Sequence, residues 1–316
     1  MTDLPLRLGV IGLGAMGAEM LAIAVALPDV TVVLAADPSE SALERTRIAH
    51  PGLALTNDPT EVVSHPELDA VYIAAPPVTH AGYAIAAMKS GKAVFCEKPL
   101  AVDFQEGEEM VAVAEATDLV NALNYTLSDR SAAVEVLRAV RTGEAGDILG
   151  VDIRFLFPEW PREFQKDALW VAGREQGGFL REVGSHYVFL TDRVLGPLTP
   201  LHTEVTYGEN GESTATGLFS ADGIPVRLTG DVAAGPETYT WTLYGSQRSY
   251  RITDWGDLSV GDADGWKPVE LTGPRGGEDT RLAEFVRAVR GYPSTLADFA
   301  AGLRVQQAIE TFHATA

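Results

Sequence analysis

Two short runs in this 316-residue chain carry residue types and spacings suited to chemistry. Gly12-Leu13-Gly14-Ala15-Met16-Gly17 is a G-x-G-x-x-G run. It follows the apolar stretch Leu6 to Ile11 and opens an Ala-, Met- and Leu-rich stretch from Ala15 to Leu27. A strand that enters a helix through such a loop is suited to a pyrophosphate. Gly12 permits the tight turn, Gly14 lets backbone approach the anion, and Gly17 lets helix and strand pack closely. Amides of the first helical turn, at Ala15 and Met16, add N–H groups and the positive end of a dipole. Asp37 closes the β-branched run from Val30 to Ala36, 20 residues beyond Gly17. A carboxylate there accepts hydrogen bonds from ribose hydroxyls and repels a 2′-phosphate. Pro38 and Ser39 are not basic, so NAD is expected in preference to NADP. The second run, Glu97-Lys98-Pro99, follows the apolar stretch Ala93 to Cys96, and Lys98 is one of five lysines against 19 arginines. A compact, tunable ammonium differs chemically from the guanidinium that dominates this chain.

These residues need elements to hold them. Up to residue 122, apolar runs alternate with helix-like segments: strands at 6–11, 30–36, 70–75, 93–96 and 119–123, helices at 15–27, 39–49, 79–90 and 104–117. Ser39 and Thr79 are expected as N-caps. Fully apolar strands alternating with helices indicate a doubly wound parallel sheet, an α/β Rossmann domain over 1–122. In such a sheet ligands lie beyond the carboxyl ends of the strands, which is where Lys98 falls. After residue 123 the pattern changes. A helix at 131–142 and a strand at 149–157 precede strands at 202–207, 214–220, 224–232, 238–244 and 248–253, with helices returning at 280–290 and 298–313. This predicts an α+β domain over 123–316 with a large, mostly antiparallel open sheet, its C-terminal helix packing back near the first domain. A cleft at the junction is the expected ligand site.

Longer motifs supply a resemblance. Tyr72-Ile-Ala-Ala-Pro-Pro-Val-Thr-His80, Gly91-Lys-Ala-Val-Phe-Cys-Glu-Lys-Pro-Leu100, Gly177-Gly-Phe-Leu-Arg-Glu-Val-Gly-Ser-His186 and Gly302-Leu-Arg-Val-Gln-Gln-Ala-Ile309 closely resemble the Gfo/Idh/MocA oxidoreductases, relatives of glucose–fructose oxidoreductase and inositol dehydrogenase. The resemblance spans nearly the whole chain. It implies reversible hydride transfer between a nicotinamide and a secondary alcohol or ketone of a sugar, sugar derivative or cyclitol. It also implies a homodimer or homotetramer formed through the second-domain sheet. The family lysine falls on Lys98 and the family histidine on His186, here expected as general acid/base. The family aspartate, four residues before the histidine, is replaced by Glu182. Glu182 is expected to orient substrate, or else to pair with Arg181. A second departure is Thr126, where the family often has arginine.

Pro76, His80, Glu97 and Lys98 are expected around the cofactor, and Tyr125, Trp160 and Arg162 around the substrate. Two other readings of the same fold are a nucleotide-binding regulator without turnover and a reductase of an imine or unsaturated bond. No H-E-x-x-H or paired cysteine suggests a metal site. The net charge of −20 disfavours nucleic acid and anionic membrane as partners. Cys96 is the only cysteine, no apolar run approaches a membrane span, and no signal sequence is evident, so a cytoplasmic protein is expected.

Overall fold

The computed structural model describes residues 4–165, 169–209 and 211–314. Contacts group the residues through Tyr125 with Gly277–Leu303, and Thr126–Gly276 with the residues from Arg304 onward. The chain therefore passes between the two units three times, where the sequence reading draws one boundary at 122/123. The reason lies in the helix Glu278–Val289 (α8), whose Leu282, Phe285 and Val286 are buried in the core of the first unit. Phe285 stacks on Phe95 with centroids 5.2 Å apart.

The first unit holds a six-stranded parallel sheet: β1 (Leu6–Ile11), β2 (Val30–Ala36), β3 (Ala54–Thr56), β4 (Ala70–Ile73), β5 (Ala93–Cys96) and β6 (Asn121–Leu123), in the order β3-β2-β1-β4-β5-β6. β4 and β5 are buried at every position, as expected for strands covered on both faces. The helices are α1 (Ala15–Ala26), α2 (Glu40–Ala49), α3 (Pro59–Ser64), α4 (His80–Lys89) and α5 (Phe104–Thr117). Ser39 caps α2 by accepting from Ala42 N. Thr79 does not cap α4; it ends a tight turn and its hydroxyl donates to Pro76 O at 2.8 Å. β3 and α3 are additions to the sequence reading, too short to show a period. Asp58 starts α3 by accepting from Thr60 N at 2.9 Å, with Pro59 at the first helical position.

The second unit is built on an eight-stranded sheet. Its strands are β7 (Ile148–Phe157), β8 (Thr199–Gly208), β9 (Gly211–Ala221), β10 (Ile224–Val232), β11 (Thr238–Gly245), β12 (Ser249–Thr253), β13 (Asp257–Asp262) and β14 (Gly265–Pro268). The order is β14-β13-β12-β11-β7-β10-β9-β8, and every pairing is antiparallel except β7 with β10. Burial alternates along β9 and β7. The buried face carries Phe155, Phe157, Phe219 and Trp241. The other face carries exposed ion pairs, Arg154–Asp231 and Arg227–Asp152. Helix α6 is Ser131–Arg141 and α7 is Ser185–Leu195. α7 packs on the buried face: Tyr187 meets Phe155 edge-on at 5.1 Å, and Trp241 Nε1 donates to Thr191 Oγ1 at 2.8 Å. The final helix, α9 (Phe299–His313), is shared, its first residues grouping with the first unit and the rest with the second. Among the described residues no helix is long and apolar enough to cross a membrane.

Candidate functional site

In the first unit the G-x-G-x-x-G run links β1 to α1. Gly12 has φ +91°, and a Cβ there would run into Ala74 O. A Cβ on Gly17 would run into Gly12 O, whereas one on Gly14 would meet nothing within 4 Å. Two glycines are therefore needed for packing, and the third leaves open space beside the first turn of α1. Ala15 and Met16 are exposed and begin that turn. The loop thus fits a dinucleotide pyrophosphate: open backbone N–H groups stand at a helix N-terminus beyond the carboxyl end of β1. Asp37 Oδ2 accepts from Leu13 N at 2.7 Å and Oδ1 from Ser39 N at 2.8 Å. The carboxylate so ties the loop to the end of β2, and each oxygen retains a lone pair for a ribose hydroxyl. Pro76 is exposed just beyond β4.

Lys98 follows β5, two strands from the glycine loop along the same sheet edge, and is half-buried. The Lys98–Pro99 peptide is cis. Two neighbours expected at the cofactor have buried side chains engaged by the protein itself. His80 is fully buried, with Nδ1 2.8 Å from Pro99 O and Nε2 2.9 Å from Ala75 O. Both ring nitrogens face backbone, so His80 joins the end of β4 to the Lys98–Pro99 turn. Glu97 is also buried. Its Oε1 accepts from Tyr72 Oη at 2.6 Å and from Asn124 Nδ2 at 2.6 Å. Asn124 Nδ2 donates to Glu278 Oε2 at 2.7 Å as well, and Arg281 Nε donates to Asn124 Oδ1 at 2.6 Å. Arg281 closes the network through its ion pair with Glu278. Burial, and then the charge of Glu278, hold the Glu97 carboxyl above the usual carboxylate range. Glu97 is therefore a structural carboxylate directly preceding Lys98.

In the second unit Leu180–Gly184 winds as a wide π-type turn that runs into α7. The paired glycines before it accommodate a carboxylate: Gly178 has φ +99°, and a Cβ there would run into the Glu212 carboxyl, whose Oε2 accepts from Leu180 N at 2.8 Å. Burial pushes that carboxyl up to about 8. Glu182 is buried, and its Oε2 accepts from Gln165 Nε2 at 3.1 Å. It does not pair with Arg181, which makes two 2.7 Å hydrogen bonds to Glu310 instead. Gln165 Oε1 accepts from Arg162 Nε at 2.8 Å, and Arg162 Nη1 reaches Tyr239 Oη at 3.4 Å. A polar chain thus runs from Glu182 through Gln165 and Arg162 to Tyr239.

His186 lies in the first turn of α7, and its Nδ1 accepts from Thr126 N at 3.0 Å. An imidazole nitrogen that accepts a backbone N–H cannot carry the proton, so in the neutral ring the hydrogen is on Nε2. His186 in this arrangement is a hydrogen-bond donor at Nε2. The proton-accepting role read from the sequence requires the other tautomer, which the Thr126 amide opposes. The His186 ring also meets Trp255 edge-on at 5.2 Å.

Two of the expected substrate contacts are packing residues. Trp160 is 4% exposed and packs edge-on against Phe157 at 5.0 Å. Tyr125 is 1% exposed, buried among core residues. Arg162 remains half-buried, its guanidinium 4.6 Å from the Phe164 ring centroid. Sequence reasoning missed Asn124, Glu278, Arg281, Gln165, Glu212 and Trp255 as residues that position these groups. Only the Glu278/Arg281 pair had a local signal, a three-residue spacing on a helix. Among the described residues no group of three or more His, Cys, Asp or Glu is placed to hold a metal ion.

Comparison with known proteins identifies the family. Residues 6–125 match the model described as oxidoreductase family, NAD-binding Rossmann fold, and residues 134–251 match the GFO/IDH/MocA C-terminal domain. The chain is 38% identical over 127 residues to inositol 2-dehydrogenase 2 of Paenarthrobacter aurescens, covering 39% of this chain and 36% of that protein. Its matches to three such inositol 2-dehydrogenases span about a third of their length. It is 27% identical over 300 residues to dTDP-3,4-didehydro-2,6-dideoxy-alpha-D-glucose 3-reductase of Streptomyces violaceoruber, covering 90% of this chain and 85% of that one. The fold matches a 3-ketoreductase from Actinomadura kijaniata crystallised with NADP and TDP-benzene, with TM-score 0.82, 21% identity, and coverage of 98% and 97% of the two chains. With both halves of the chain matching in order, the protein belongs to the Gfo/Idh/MocA family of oxidoreductases.

Proposed function

We propose that the protein is an NAD-dependent dehydrogenase or reductase, acting on a secondary alcohol or ketone carbon of a sugar, sugar derivative or cyclitol. The observation that carries this reading is Lys98, half-buried beyond β5 on the sheet edge that also bears the glycine loop. The names of the relatives, inositol dehydrogenases and a deoxysugar 3-reductase, support the substrate class. The bound nicotinamide supplies the hydride acceptor or donor. Lys98 then holds and moves the proton of the reacting oxygen, and its charge stabilises that oxygen as negative charge develops. His186 donates from Nε2 to a substrate oxygen. Glu182, Gln165 and Arg162 orient substrate hydroxyls through the chain of hydrogen bonds that joins them.

Asp37 supports NAD over NADP, since a 2′-phosphate would meet a like charge already engaged with Leu13 and Ser39 amides. The test is absorbance of reduced nicotinamide with NAD or NADP against a panel of cyclic and open-chain polyols. Turnover of at least one cyclic polyol, faster with NAD, is the expected result. NAD binding without turnover of any panel member, in either direction, would instead favour a regulatory protein.

We also propose assembly as a homodimer or homotetramer through the second-unit sheet. The short side chains Thr214, Thr216, Leu218 and Thr229 on its outward strands suit flat packing against a second copy. Light scattering on the eluting protein is expected to give a mass of two or four chains; a single-chain mass overturns this.

A further inference from the structure

The turn between β12 and β13 holds an unusual residue. Gly256 N donates to Thr253 O at 3.0 Å, closing a turn whose central residues are Asp254 (φ 46°) and Trp255 (φ 65°). Two consecutive positive φ values are the mark of a type I′ turn, which favours Asn, Asp and Gly. Asp254 suits it. Trp255 does not, because a bulky side chain in the left-handed region is a conformational outlier. A glycine stands one position later, at 256, yet the left-handed position keeps an indole. Such outliers persist where surrounding contacts over-determine them, and they concentrate at working sites.

The contacts are specific. The Trp255 ring lies 5.2 Å from His186 at 89°, 5.1 Å from Tyr187 at 46° and 5.3 Å from Tyr239 at 44°. Those three partners are buried, while the indole stays partly exposed. Tyr239 Oη in turn reaches Arg162 and Glu237, and Arg162 leads through Gln165 to Glu182. An accessible indole therefore stands beside a hydrogen-bond donor, His186, and close to a chain of polar groups. Apolar C–H groups on one face and hydroxyls around the rim are what a six-membered polyol ring presents to such a surface.

Resting on the dehydrogenase reading above, we propose that Trp255 is a specificity-determining residue. Its indole stacks on the C–H face of a cyclic polyol and selects rings over open-chain alditols, which have no flat face to offer. The test uses the NAD-loaded protein, the same cyclic and open-chain panel, and two variants. Trp255→Gly places an Asp-Gly pair in the turn, which relieves the backbone while removing the ring. It is expected to keep its melting temperature and NAD affinity, and to raise KM for cyclic substrates about tenfold with little change in kcat. Activity on alditols should not move. Trp255→Phe, which keeps an aromatic face, should retain most of the affinity for rings. If Trp255→Gly folds poorly, Trp255→Asn, which also accepts left-handed φ, gives the same reading. An unchanged KM, an equal loss on cyclic and open-chain substrates, or a loss confined to kcat overturns the stacking role and leaves the dehydrogenase reading standing. A wild-type protein indifferent to ring closure overturns it in the same way. A protein that binds NAD but turns over no panel member removes both.

Discussion

Arg281→Met should destabilise the protein by about 3–5 kcal/mol, more than any single surface substitution. Arg281 is 1% exposed, and its guanidinium is the cation of a buried network that contains two carboxylates, Glu97 and Glu278. Both carboxylates accept from the single amide nitrogen of Asn124. Removing the guanidinium leaves them facing each other in a poorly solvated site, with the neighbouring charge of Lys98 left to favour the Glu97 carboxylate. By contrast, the Arg7–Asp69 pair has side chains 49% and 35% exposed. Breaking it should cost no more than about 1 kcal/mol, because water screens both partners. The Arg281 deficit should also depend on pH. Glu97 already sits above its ordinary value because of burial and Glu278. Without Arg281, folding favours the protonated form of one carboxylate still more. The folded variant then binds more protons than the unfolded chain, so its stability rises as pH falls toward the ordinary carboxylate range and drops as pH rises. Thermal melts of wild type and variant at neutral pH and near pH 5 read this directly. The expected loss is of order 10 °C at neutral pH and smaller in acid. A loss below about 1 kcal/mol, or one that grows in acid, would show that the guanidinium does not hold the pair.

How much of this was legible in the sequence depends on whether the signal was local. β4 and β5 are legible because a strand covered on both faces must be apolar throughout, and the glycine loop is legible because its three glycines form a recognisable run between a strand and a helix, although the atoms that exclude a side chain at Gly12 belong to distant Ala74. β9 and β10 alternate, because one face of their sheet is buried and the other is solvated. β3, at three residues, and β14, exposed throughout, have no period to find. The buried network of Glu97 is not legible, because proximity to Lys98 in sequence says nothing about burial. Its partners Asn124 and Glu278 come from elements 27 and 181 residues later, brought in by β6 and α8. The bridging contact of His80 is hidden in the same way, since it depends on the Pro99 carbonyl across the β4–β5 edge. Trp160 follows a strand whose aromatics pack around it, a tertiary circumstance. Trp255 looks like an ordinary turn tryptophan until its φ is known.

The largest effect on activity should come from Lys98→Met, which keeps much of the side-chain volume and removes the ammonium. If Lys98 moves the proton at the reacting oxygen, kcat should fall by about 10²–10⁴-fold. NAD affinity and melting temperature should change little, since the glycine loop and the hydrogen bonds of the Glu97 network are untouched. His186 provides the comparison that separates a proton-moving group from a hydrogen-bond donor. Its Nδ1 accepts from Thr126 N, which fixes the hydrogen on Nε2. A donor can be replaced by another donor, so His186→Gln, with an amide N–H, should retain a substantial part of kcat. His186→Ala should lose about 10²–10³-fold, the usual cost of removing one donor from a developing oxyanion. A base cannot be replaced by an amide. Were His186 the base, the Gln and Ala variants would be equally impaired. Kinetics of Lys98→Met, His186→Gln and His186→Ala across pH, on one substrate of the wild type, decide the matter. Retained turnover in Lys98→Met together with dead Gln and Ala variants would move the proton to His186, and would require the Thr126 hydrogen bond to break during turnover. The opposite pattern leaves Lys98 as the proton carrier, with the backbone of Thr126 selecting the tautomer that lets His186 assist it.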